Sequence, residues 1–334
     1  MTVPHAFDPE PAGSGTAPTH DLDALFPGSG TARPRVVVKP GLVVPHAETL
    51  PPEPADLPAV LAPVVDLLTG RRAAVLTGAG VSTDSGIPDY RSPGSPARLP
   101  MTFQQFVSSP DHRAHYWARN HLGWGHLQAA RPNAGHRALA DLERGGALTG
   151  LVTQNIDLLH VRAGSRQVVH LHGRYDQVRC LGCGDLSSRA ALDERLTALN
   201  PGWRDRVAED LEIAPDADAV LSSTADFRVA PCVVCGGVLI PDVVFFGSNS
   251  PRERVERATS LVDEAEALLV AGSSLAVMGG LRFARRAARD GKPVVIVNRG
   301  PTRGDELATV KVQVSTTTSL PYLAERLTAG PARG

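Results

Sequence analysis

Short apolar runs separated by helical patterns constrain this chain more than any other feature. AAVLT (Ala73 to Thr77), LVT (Leu151 to Thr153), ALLVAG (Ala267 to Gly272) and VVIVN (Val294 to Asn298) each read as a buried strand. Between them, apolar residues recur at helical spacing over Asn133 to Arg144, Arg252 to Glu264 and Gly280 to Arg289, and an amphipathic helix over Leu57 to Leu68 opens the folded sequence. Doubly buried strands alternating with helices specify a parallel sheet with helices on both faces, so an α/β fold with a Rossmann-like sheet is expected. In such sheets ligands lie beyond the carboxyl ends of the strands. The residues following each run are GAGVSTDSGIPDYRS, QNID, GSS and NRG, and chemistry is to be sought there.

At 334 residues the chain is long enough for one large core plus a smaller satellite module. Its 34 Lys and Arg against 35 Asp and Glu give no field that would gather nucleic acid or an anionic membrane surface, so neither is expected as a partner. No apolar run approaches the roughly 20 residues that span a bilayer, and no basic-then-apolar leader opens the chain, which leads to the expectation of a cytoplasmic protein. Eleven of the 28 prolines precede Leu57, interleaved with Gly, Ser and Thr. That composition cannot build a core, so residues 1–56 are expected to be a disordered extension, with one β-like patch from Val36 to Val44, and residues 57–330 to be the folded domain.

All four cysteines fall in two C-x2-C pairs, Cys180 with Cys183 and Cys232 with Cys235. Two Gly-flanked pairs suit one tetrahedral, four-thiolate zinc ion better than a single redox dithiol, and such a closed shell is structural. A small zinc-binding module inserted over about residues 174–240 is therefore expected.

Gly78-Ala79-Gly80 would let backbone amides approach a diphosphate, with a helix starting near Ser82 behind it. Alone, this is equally an ordinary strand-to-helix turn. The dehydrogenase fingerprint would need a Gly where Thr83 stands and an acid ending the next strand, and both are missing. His172, in HLHG, has the near-neutral imidazole of a general base, and His170 is expected to face away from it.

The string GAGVSTDSGIPDYRS, followed in order by TQNID, HLHG, the cysteine pairs, PDVVFFG, GSSLAV and VNRG, resembles the sirtuins, a family of NAD-dependent protein deacylases. The resemblance runs from about Leu57 to Thr328, and YWARN, CLGCG, NPGW and GPTR look most like the class II subgroup. It implies an NAD pocket formed by Gly78, Ala79, Gly80, Thr83, Asp89, Tyr90, Arg91, Gln154, Asn155, Ile156, Asp157, Gly272, Ser273, Ser274, Asn298, Arg299, Gly300 and Thr316. Tyr90 stands where the family usually has Phe, and Thr316 where class II relatives often have Cys. The carried-over catalytic residues are His172, Asn155 and Asp157. Val244, Phe245, Phe246 and Gly247 would contact an acyl-lysine peptide, whereas Ser248 departs from the Glu many sirtuins carry.

The implied reaction consumes NAD. Nicotinamide leaves as the acyl oxygen attacks the same ribose carbon, and His172 then assists a ribose hydroxyl, giving lysine and O-acyl-ADP-ribose. Mono-ADP-ribosyl transfer to a protein, or non-catalytic sensing of NAD or ADP-ribose, are the alternatives. The expected companions are NAD, one structural zinc and acyl-lysine proteins or peptides.

Overall fold

A computed structural model describes residues 50–89, 100–205, 224 and 226–329. The patch from Val36 to Val44 and two NAD-pocket candidates, Tyr90 and Arg91, lie outside the described residues. Nine strands are described: β1 (Ala73–Thr77), β2 (Leu148–Thr153), β3 (Val168–His170), β4 (Gly173–Cys180), β5 (Leu186–Ser188), β6 (Leu239–Val243), β7 (Ala267–Ala271), β8 (Val294–Val297) and β9 (Val310–Val312). Six form one sheet in the order β3-β2-β1-β7-β8-β9, every neighbouring pair parallel. The order reverses between β1 and β7, and Thr77 aligns with both Thr153 and Ala271, so three strands end level at the crevice this topology creates.

The helices are α1 (Leu57–Leu68), α2 (Phe103–Ser108), α3 (Pro110–Ala129), α4 (Ala134–Arg144), α5 (Leu159–Ala163), α6 (Arg189–Leu199), α7 (Arg252–Glu264), α8 (Met278–Arg289) and α9 (Thr316–Thr328). Alternation along the strands sends side chains to two separate cores. Val75, Leu151, Leu269 and Val295 pack against α1, α4 and α9, while Leu76, Val152, Val270 and Ile296 pack against α7 and α8. No helix among the described residues is long and apolar enough to cross a membrane.

The other three strands form an antiparallel sheet, β5-β4-β6, off the parallel one. Its core is partly borrowed: Val178, Leu192, Leu239 and Ile240 pack with Phe106 of α2 and Trp117 of α3. Arg189 of α6 is 1% exposed and binds Asn120 Oδ1 at 3.0 Å, with its guanidinium 5.4 Å from the Trp117 ring and 4.8 Å from the Trp124 ring. Burial pushes that guanidinium down to about 10, against the pull of Asp193.

The strand runs are found where the apolar patterns put them, except that β2 begins at Leu148, three residues ahead of the LVT run. Two local expectations are corrected. No α-helix starts near Ser82; Ala79–Val81 and Thr83–Ser85 are successive 3-10 turns, because Gly86 turns left-handed (φ 82°) and Ser82 is drawn inward by hydrogen bonds to other loops. VVFFG is not a continuous strand edge either. β6 stops at Val243, Phe245 is buried against Phe106 and Tyr116, and Phe246 keeps one isolated bridge to Thr102.

Candidate active site

The loops after β1 and β7 cross at contact distance. Gly80 N–H donates to Gly272 O at 2.9 Å. A Cβ at Gly78 would lie 2.8 Å from Ser273 Cβ, and one at Gly80 only 2.9 Å from Gly272 O. Gly78 and Gly80 thus have a reason to be glycine before any diphosphate arrives, since only bare backbone lets the two loops meet.

Beneath that crossing lies a network of buried polar side chains. The paired strand ends meet through Thr77 Oγ1, which donates to Thr153 Oγ1 at 2.9 Å and lies 2.9 Å from His160 Nε2. Ser82 donates to Asp157 Oδ2 at 2.6 Å, and Leu159 N–H to Asp157 Oδ1 at 2.9 Å. Asn155 Nδ2 donates to both Gly78 O and Ser82 Oγ at 3.0 Å. Burial pushes the Asp157 carboxyl above its ordinary value, and the hydrogen bonds from Ser82 and the Leu159 amide pull it back. His136, whose ring is 4.8 Å from that of His160, completes the floor; burial pushes it down to about 4 and His160 well below its ordinary value.

Gln154 ties this floor to the β7 loop and to His172. Its Nε2 donates to Ser273 Oγ at 2.8 Å, and its carbonyl oxygen stands 3.0 Å from His172 Nδ1. A carbonyl can only accept, so the imidazole proton sits on Nδ1 and Nε2 keeps its lone pair. Burial pushes His172 below its ordinary value, with the Gln154 bond opposing. His172 lies between β3, in the parallel sheet, and β4, in the small one, and its carbonyl accepts from Val244 N–H at 2.8 Å. Gly173 makes the transition with φ 91°, and a Cβ there would stand 2.0 Å from Asp242 O.

His170 is set apart from His172, but not by strand alternation, because residues two apart on a strand share a face. β3 ends at His170, and the chain turns before His172. His170 is pushed down to about 4, chiefly by burial.

The remaining candidates extend toward β8. Ser273 accepts from Leu275 N–H at 3.2 Å, and Ser274 O from Arg303 N–H at 2.9 Å. Asn298 Nδ2 donates to Arg299 O at 3.0 Å, Gly300 N–H to Gln313 Oε1 at 3.1 Å, and Thr316 Oγ1 to Gly80 O at 3.4 Å. Ala79, Thr83, Asp89 and Ile156 are half-buried. Of the proposed peptide contacts, Val244 is half-buried, Phe245 buried, and Phe246 and Gly247 exposed. Ser82, Thr77 and His136 were not singled out by the motifs, although the Thr ending both AAVLT and LVT was a visible sign that the strand tips pair.

The four cysteines converge. All four sulfurs lie within 4.8 Å of one another, with Cys180 and Cys235 at 3.5 Å and Cys183 and Cys232 at 3.8 Å. Zn–S bonds of about 2.3 Å in a tetrahedron require sulfur separations of about 3.8 Å, so the donor set fits zinc. Amides of Gly182 and Val234 donate to Cys180 and Cys232 sulfur at 3.3 and 3.4 Å, as suits thiolate ligands.

Residues 78–279 match the Sir2 family. The chain is 57% identical over 270 residues to NAD-dependent protein deacetylase 1 of Mycobacterium avium (strain 104), covering 80% of this chain and 96% of that protein. It is 53% identical to NAD-dependent protein deacetylase 1 of Streptomyces coelicolor, covering 83% and 92%. A solved structure of Sir2 with a p53 peptide and NAD+ aligns with a TM-score of 0.62 at 32% identity, covering 80% of this chain and 96% of that one.

Proposed function

The chain belongs to the Sir2 family, and on that premise we propose that it is an NAD-dependent protein lysine deacylase acting in the cytoplasm. The observation that carries the reading is His172: a half-buried imidazole whose proton is held on Nδ1 by Gln154, leaving a basic Nε2 that faces Gly279, 3.1 Å from where a Cβ there would stand. Acyl-lysine, NAD and water give lysine, nicotinamide and O-acyl-ADP-ribose. In this reading Asn155 and Asp157 orient the nicotinamide ribose and carboxamide, and the loops of Gly78 to Gly80 and Gly272 to Ser274 hold the diphosphate. Asn298, Arg299, Gly300 and Thr316 flank the adenosine. His172 Nε2 takes the proton of a ribose hydroxyl, and the apolar rim of Val277, Met278 and Phe246 admits the acyl-lysine while limiting water. Zinc, held by Cys180, Cys183, Cys232 and Cys235, supplies folding stability and no chemistry.

The class II likeness favours longer or branched acyl groups. Tyr116 and Arg119, with two residues between them, have the spacing of the Tyr and Arg with which class III sirtuins grip acidic acyl groups, a role that would need both side chains free. Tyr116 instead packs 5.3 Å from Phe106 and 5.2 Å from Phe245, and Arg119 Nη1 lies 3.0 Å from His115 Nε2. Mass spectrometry of products from NAD with acetyl-, lipoyl-, fatty-acyl- and succinyl-lysine peptides tests the reading. O-acyl-ADP-ribose is the expected product, with succinyl the poorest substrate; ADP-ribosylated protein without acyl transfer, or no product, overturns it.

A further inference from the structure

The polypeptide does not enter the fold directly at α1. Residues 50–56, which composition assigned to the extension, first cross the carboxyl end of β8. Arg299 Nη2 donates to Pro51 O at 2.7 Å. The Glu53 carboxylate accepts from Ser315 N–H at 3.0 Å and lies 3.8 Å from Arg299 Nη1. Ser315 caps α9, so Glu53 also brings negative charge to the positive end of that helix. One short segment therefore joins the tip of β8 to the start of α9, whose first residue, Thr316, reaches back to Gly80 O. With both Nη atoms facing this segment, Arg299 Nε is left buried without an acceptor among the described residues. A buried donor left unpaired is costly, so the geometry calls for an acceptor from outside the chain.

The orientation of the cleft says which part of the ligand lies there. With the reacting ribose beside His172 and Asp157 and the diphosphate at the crossing of the β1 and β7 loops, the rest of a dinucleotide must run toward β8, the next strand in the order. We propose that residues 50–53 are a strap closing the adenosine end of the cleft, and that Glu53 is a positioning residue for NAD, acting through Arg299 and the first turn of α9. This inference rests on the NAD-consuming reading above. It implies that a truncation reaching Pro51 and Glu53 changes affinity for NAD.

The test compares full-length wild type with Glu53→Ala and Glu53→Gln, measuring ADP-ribose affinity by calorimetry and steady-state kinetics with an acetyl-lysine peptide. Exposed ion pairs and helix-end charges contribute modestly, so Glu53→Ala should weaken ADP-ribose binding and raise KM for NAD about three- to fivefold. The kcat and the KM for peptide should stay within about twofold, a split that general destabilisation does not produce. Glu53→Gln keeps an acceptor for Ser315 N–H and should recover part of the loss. Unchanged ADP-ribose affinity in both folded variants overturns the strap. A fall in kcat equal to the rise in KM assigns Glu53 to overall stability and also overturns it. Wild type that binds ADP-ribose strap-dependently yet deacylates nothing defeats the deacylase reading and leaves the strap standing.

Discussion

The parallel sheet and the antiparallel one are held together by different means. The six-stranded sheet is buried on both faces, and residues such as Val75, Leu76, Val270 and Ile296 are completely inaccessible. Its stability comes from ordinary apolar packing. The three-stranded sheet has two strands of eight and five residues and one of three, leaves Val233 and Val234 in its metal knuckle exposed, and borrows core from α2 and α3. A sheet that small needs a staple, and the four-cysteine cluster provides one. His172 and Gly173 form the junction between the two. In the proposed reading, a reaction joining two substrates lies where a body held by apolar packing meets one stapled by the four-cysteine cluster.

The widest separation between the two regions should come from the metal. Cys180→Ser is expected to lose zinc and all measurable deacylation, because removing one thiolate forfeits most of the folding energy of a structural site, about 10 kcal/mol or more in zinc peptides. Trp117 and Trp203 pack in the core of the small sheet, and Trp124 lies 5.0 Å from the ring of Tyr175 of β4. Their emission should shift toward that of exposed indole while far-ultraviolet circular dichroism stays largely native. Simultaneous loss of both signals would show that the parallel sheet is not self-sufficient. Zinc-free protein with native activity would remove the staple from the account.

Next in size is the junction itself. His172→Ala should lower deacylation about a hundredfold or more, the scale of a lost general base, with NAD affinity retained because the dinucleotide contacts lie on other loops. Full activity in this variant would defeat the mechanism. On the parallel side, Ser82→Ala leaves the Asp157 carboxylate without its 2.6 Å donor. An unpaired buried acceptor costs about 1–3 kcal/mol, so kcat/KM should fall about tenfold with a lower Tm, while the tryptophan signal of the folded protein stays unchanged.

The smallest effect concerns acid. His136 and His170, both on the parallel side, are pushed down to about 4 by burial and stay neutral in the folded protein at neutral pH. The unfolded chain takes up those protons near the ordinary imidazole value of about 6.5, so it binds more protons than the folded one as pH falls from there toward 4. Stability should therefore be fully present above that window and decline through it. His136→Asn should flatten the slope of Tm against pH; an unchanged slope would mean that this imidazole is charged or solvated when folded.

Much of the parallel sheet was legible in the amino-acid sequence because its strands are continuous apolar runs and α1, α4, α7 and α8 carry clean helical periodicity. α3 was hidden since its buried face includes Asn120 and His121, polar residues whose partners are distant in sequence. β3 and β9 are three residues long and carry no period. The cysteine spacing disclosed the zinc site, and the loop motifs named most of the candidate pocket, because ligand spacing and strand-to-loop order are local properties of the chain.

What the tertiary structure alone decided are the meetings of distant loops. Gly78 and Gly80 suggested an approach to phosphate, yet their closest neighbours are Ser273 and Gly272, and those contacts exist only once β1 and β7 lie side by side. Ser82 looked like the start of a helix until Asp157 and Asn155 claimed its hydroxyl. Composition marked residues 50–56 as extension, but Pro51 and Glu53 are ordered by Arg299 and Ser315, about 250 residues away. Local pattern determines which segments become strands, helices and metal knuckles. Which polar groups pair is set by strand order and loop crossing, since a hydrogen bond depends on distance in space and not on separation along the chain.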